Sequence, residues 1–104
     1  MTVKVKNIID KSNAITSKDG LSLFETLQNR NQSKLTIDFR GLKGVTTSFL
    51  NSSLGKYISE YPSIDIDFRY PSNSSIIKDK VEMVKESAAL YASKNNSEEE
   101  DSIN

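Results

Sequence analysis

From Ser63 to Tyr70 the chain alternates without interruption. Ile64, Ile66, Phe68 and Tyr70 are apolar or aromatic, and the positions between them include Asp65, Asp67 and Arg69. A strand turns successive side chains to opposite faces, so this pattern predicts a strand with one face buried and the other in water. Lys34 to Phe39 repeats it, with Leu35, Ile37 and Phe39 on one side and Lys34, Thr36 and Asp38 on the other. Val3 to Ile9 reads as a third strand, with Val3, Val5, Asn7 and Ile9 sharing a side opposite Lys4, Lys6 and Ile8. A parallel sheet covered by helices on both faces has nearly continuous apolar strands. These half-charged strands therefore predict helices on one face only.

Helical spacing fills the intervals between strands. Asp10 to Asn13 is a turn cluster, and Ala14-Ile15 is compatible with a short extra strand. Thr16-Ser17-Lys18-Asp19 then has the form of a capping box. Gly20, Leu23, Phe24 and Leu27 follow at helical spacing and predict a helix to about Asn29. Gly41 and Gly44 bracket a loop, and Thr46, Thr47 and Ser48 are possible N-caps of a second helix. Its apolar stripe is Leu50, Leu54, Tyr57, Ile58 and Tyr61, and Pro62 ends it. After a turn over Pro71 to Ser74, a third helix is expected from Ser75 to Ser93, with Ile77, Val81, Val84, Ala88 and Tyr91 on its buried side. Strand and helix alternate, which predicts an α/β two-layer sandwich: a small, mostly parallel sheet with three helices on one face. Phe24, Leu27, Ile37, Phe39, Leu54, Ile58, Ile66, Phe68, Val81 and Val84 should form its core. One domain, residues 1–93, is expected. Residues 94–104 hold one lysine against four acids, a net charge of −3, and are expected to form an acidic disordered tail.

What the sequence lacks removes several chemistries. It has no histidine and no cysteine, hence no imidazole base, no thiol nucleophile, no disulfide and no ordinary zinc site. Gly41-Leu42-Lys43-Gly44 is neither a P-loop nor a dinucleotide fingerprint, and a loop between strand and helix is its plainer reading. Asp38, Asp65 and Asp67 offer oxygens for a hard cation, but Lys4, Lys6 and Arg69 share their face, so a solvated mixed surface is expected in place of a metal site. The chain as a whole is neutral, with 14 basic and 14 acidic residues, and shows no clustered basic stretch in sequence that would favour nucleic acid. Neither a signal peptide nor a membrane span is evident, and a cytoplasmic, non-enzymatic protein without cofactor is expected.

The segment Leu35 to Gly55 carries a family resemblance. Asp38-Phe39, Gly41-Leu42, Val45-Thr46 and Ser48-Phe49-Leu50 resemble the pattern of a bacterial STAS-like domain of unknown function. That domain is related to the STAS fold of sulfate transporters and anti-sigma-factor antagonists. The resemblance spans about residues 5–70 and implies helices stacked on one face of a small sheet. In the antagonists the second helix begins D-S-S-G, and its first serine is phosphorylated by a partner kinase. Here the matching positions are Thr46, Thr47, Ser48 and Phe49, so Thr47 stands where the phosphoserine would be. The resemblance implies a regulatory protein–protein interaction module, its partner an ATPase of the histidine-kinase type. The partner surface would comprise Lys43, Thr46, Thr47, Ser48 and Asn51, with Thr47 as the phosphorylation candidate. Plain N-capping by Thr46 or Thr47 is the simpler role for these hydroxyls. The open sheet face with Asp65, Asp67 and Arg69 is a second candidate surface. An alternative function is a small phage or mobile-element inhibitor that uses the same fold as a scaffold against a host defence protein.

Overall fold

The computed structural model describes residues 2–30, 34–72 and 75–103, with side chains through Tyr91. Three parallel strands form the main sheet: β1 (Thr2–Lys4), β3 (Lys34–Asp38) and β5 (Asp65–Arg69), with β3 in the centre. The register aligns Val3 with Ile37 and Ile37 with Phe68, so the apolar faces of the three strands coincide. Thr2, Lys4, Lys34, Asp65, Asp67 and Arg69 point the other way and are exposed. The helices cover only the apolar face, as the half-charged strands predict.

The helices are α1 (Val5–Ile9), α2 (Ser17–Arg30), α3 (Thr47–Leu50), α4 (Lys56–Glu60) and α5 (Ser75–Ile103). A π-helical segment, Asn51–Gly55, joins α3 to α4 without a break. Leu23 and Leu27 of α2, Leu50, Leu54 and Tyr57 of the α3–α4 unit, and Ile77 and Val81 of α5 meet Val3, Leu35, Ile37 and Phe39 of the sheet in one core.

Several elements depart from the sequence expectation. The first strand ends at Lys4, and the chain turns helical from Val5. Val5 and Ile9, four residues apart, are both buried in that helix, so the same apolar residues satisfy a helical face as well as a strand face. Asp10 then ends it in a left-handed conformation, φ 56°. The short strand expected at Ala14-Ile15 is β2 (Asn13–Ala14), which pairs in parallel with β4 (Gly44–Val45) in a separate two-stranded ribbon. Ile66 and Phe68, expected in the core, are only half-buried. They lie on the edge strand, where Lys85 of α5 covers the Phe68 ring at 5.4 Å. Tyr61 and Tyr91, expected on buried stripes, are 39% and 59% exposed, because α4 ends at Glu60 and α5 outruns the body it packs against.

The backbone of α5 continues to Ile103, past the expected end at Ser93. No proline or glycine follows Ser75 to stop it, and its glutamates are good helix formers. The expected acidic tail thus falls where this helix continues, and its side chains lie outside the described residues, as do Asn73 and Ser74 of the expected turn. No helix among the described residues is long and apolar enough to cross a membrane.

Candidate functional site

The segment from Lys43 to Asn51 is built on the β2–β4 ribbon. The Lys43 amide donates to the Ser12 carbonyl at 2.7 Å, and the Thr46 amide donates to Ala14 at 3.0 Å. From the other side, Lys80 of α5 donates to the Val45 carbonyl at 3.0 Å. Thr46 has extended geometry, φ −103° and ψ 158°, and its hydroxyl accepts the Phe49 amide at 3.2 Å. Thr46 is therefore the N-cap, and Thr47 is free of that duty. The hydroxyl of Thr46 also donates to the Ile15 carbonyl, which ties the cap to the ribbon.

Of the five residues proposed from sequence, Lys43, Thr47, Ser48 and Asn51 are exposed and Thr46 is half-buried. They lie together as one polar ridge. Phe49 and Leu50, directly behind them, are fully buried and anchor the ridge in the core.

Beyond Leu50 the helix widens into its π turn, which sequence periodicity does not reveal. A π turn shifts backbone hydrogen bonds by one residue and loosens the carbonyls around it. Here serine hydroxyls take them up. Ser53 donates to the Phe49 carbonyl at 2.8 Å, and Ser52 donates to Ser48 at 3.0 Å. Phe49 and Leu50 face inward just before the π segment, and its Ser53, Leu54 and Gly55 are buried behind them. A groove of about 490 Å³ opens where Asn51, Gly55 and Lys56 of this unit face Val84, Ala88 and Tyr91 of α5. Asn51 belongs to both the ridge and the groove.

The second candidate surface behaves differently. Asp65 and Asp67 are exposed on β5, in register with Lys34 and Thr36. Asp38, expected on the solvated face, is buried. It occupies the central strand in register between Lys4 and Arg69, and Arg40 folds back over it. The Arg40 Nε and Nη2 donate to its two oxygens at 3.0 and 2.9 Å, and the Arg40 amide adds a third bond at 2.9 Å. The Arg40 guanidinium, with a smaller contribution from Lys4, holds the Asp38 carboxyl below the usual range despite its burial. This carboxylate is already satisfied and is placed for structure. Among the described residues no group of carboxylates is arranged to hold a metal ion.

Residues 19–76 match the family described as the STAS-like domain of unknown function (DUF4325). The matched stretch runs from the first turn of α2 to the start of α5, and it includes the whole ridge, the π segment and the strands β3 and β5 of the main sheet. The chain belongs to this family. No curated protein and no solved structure matched it. The membership of this STAS-like domain agrees with its small parallel sheet and one-sided helix layer. Phe49, which stands where the antagonists' D-S-S-G has its glycine, is fully buried.

Proposed function

We propose that this STAS-like domain is a non-enzymatic regulatory module that binds a protein partner, an ATPase of the histidine-kinase type, through the ridge from Lys43 to Asn51. The observation that carries the reading is the contrast at the start of α3. The backbone is clamped from both sides by Ser12, Ala14 and Lys80, while Thr47 and Ser48 stay exposed. A polar surface on a rigid frame suits recognition, since little order must be gained on binding. Thr47 is the proposed switch. A phosphate there would add about −1.5 to −2 charges beside a helix start, which favours negative charge.

The test places a photo-crosslinking residue at Thr47 and, separately, at Asp67 in living cells. Capture of an ATPase through Thr47 and not through Asp67 is the expected result. Thr47→Glu should change that affinity by about 1–3 kcal/mol. Thr47→Ala serves as the control and should leave stability nearly unchanged, because Thr46 supplies the cap. Capture through Asp67 alone would move the functional surface to the open sheet face. Capture of a nuclease or another defence effector would favour the inhibitor alternative.

A further inference from the structure

The open face of the sheet is charged unevenly along its strands. At the amino end Asp65 stands against Lys34, and Asp67 follows opposite Thr36. At the carboxyl end one row across the sheet reads Lys4, Asp38, Arg69. Arg40 adds a cation there through its fork to Asp38. Lys6 adds another: a Cβ on Gly41 would come within 3.1 Å of the Lys6 Cδ and 3.9 Å of its Nζ, so the side chain lies over the turn that follows Arg40. Lys4, Arg40 and Arg69 thus flank one carboxylate, with Lys6 over the turn that follows, and that carboxylate is spent on Arg40. Among the described residues neither Lys4 nor Lys6 has an ion-pair partner, and Arg69 makes only a 3.4 Å bond to its neighbour's carbonyl.

The same chain carries the complement. Residues 94–104 have a net charge of −3, concentrated in Glu98, Glu99, Glu100 and Asp101, and since the whole chain is neutral the remainder carries +3. The two cannot meet within one molecule while α5 is continuous. That helix packs by Ile77, Val81, Val84 and Ala88 on the apolar side of the sheet, and Lys4 and Arg69 are on the opposite side. We infer that the basic carboxyl end of the open sheet face receives the acidic run Glu98–Asp101 of a second copy of this chain. A nucleic acid fits less well, because Asp65 and Asp67 on the same face would repel a polyanion longer than the cluster. The inference is independent of the ridge at Lys43–Asn51, which lies on other elements.

The experiment is charge reversal in the full-length chain, read by sedimentation velocity. One variant reverses the cluster, Lys6→Glu with Arg69→Glu, leaving Lys4 beside Asp38. The other reverses the run, Glu98→Lys with Glu99→Lys and Glu100→Lys. Circular dichroism checks that both fold. Wild type should associate with rising concentration at low salt and return to monomer at roughly 0.5 M salt, where screening acts within a few ångströms. Each variant alone should associate about tenfold more weakly or not at all, since an exposed charge network loses its attraction when one side is reversed. Mixed in equal amounts they should recover association, because the reversed cluster then meets the reversed run with inverted sign, while the unreversed cluster meets the unreversed run with the native sign. A wild type that stays monomeric at low salt overturns the inference, and so does a mixture that fails to recover.

Discussion

Asp38 lies buried at the end of the central strand, its two oxygens held by the fork of Arg40. Its place in an alternating strand was plain, but its burial depends on Arg40, two residues on, turning back across it. Local periodicity carries no information about a side chain that folds over its neighbour. Because its carboxyl pKa is depressed in the folded state, the stability it contributes is present above the unfolded value, about 4, and is lost as pH falls through the folded value. Asp38→Asn should therefore lower stability at pH 7 by about 1–3 kcal/mol and flatten the acid limb of a denaturation-versus-pH curve. An acid limb unchanged from wild type would show that Asp38 is not the group responsible. Tyr70 predicts the opposite limb. Burial, helped by Glu82, pushes its phenol up to about 12. A raised folded pKa means that the contribution is complete below the unfolded value, about 10, and is lost as pH rises towards 12. In Tyr70→Phe this part of the alkaline destabilisation should vanish, and the phenolate absorbance titration should lose its highest-pH component.

Among the elements, the α2–π contact is the tightest. A Cβ on Gly20 would lie 1.9 Å from the Ser52 hydroxyl oxygen and 2.6 Å from the Phe49 carbonyl oxygen. The serine could rotate away, but the carbonyl belongs to the backbone of the ridge's anchor. Gly20→Ala should accordingly destabilise the fold by about 1–3 kcal/mol through overpacking, although alanine is the better helix former. Thermal melting would register it, and a gain in melting temperature would contradict the close approach. The helix around Gly20 was visible from its apolar spacing and from the capping box. Only half of that box forms: the Asp19 amide donates to Thr16 at 3.1 Å, but the Asp19 carboxylate accepts from Lys11 at 2.8 Å and does not reach back. The second helix was visible from Leu50, Leu54 and Tyr57, yet Phe49, one position earlier, packs just as deeply. Adjacent inward residues occur on ordinary α-helices too, as at Leu23 and Phe24, so nothing in the spacing separates the π segment from a plain α-helix and the groove beside it was hidden. The ridge itself was legible because its polar residues precede an apolar stripe. Which threonine caps it was not, since adjacent threonines offer the same hydroxyl and only backbone geometry separates them.

For the whole molecule, alternating strands were enough to place the helices on one face, because a sheet with a charged side leaves the second layer nowhere else to go. The strand order was not written in any segment. β3 takes the centre, and its Leu35 and Ile37 are at most 1% exposed, whereas the apolar side chains of the edge strand β5 are half-buried. A short strand was legible at Ala14-Ile15, but its partner β4 and their separate ribbon were not, since two residues per strand are too few to show any period. This parallel arrangement also governs how the chain acquires its shape. No strand of the main sheet pairs with a neighbour through a tight hairpin; each pairing joins segments separated by an entire helical crossover. Loop-closure entropy must be met before any such contact is rewarded, so the sheet cannot grow from a local seed. As the chain emerges from the ribosome, β1 has no partner in this sheet until β3 appears, and β3 keeps one side unpaired until β5 follows. The helices α2 and α3–α4, whose contacts are nearer in sequence, are free to form first, and they supply the apolar surface on which the late strands assemble.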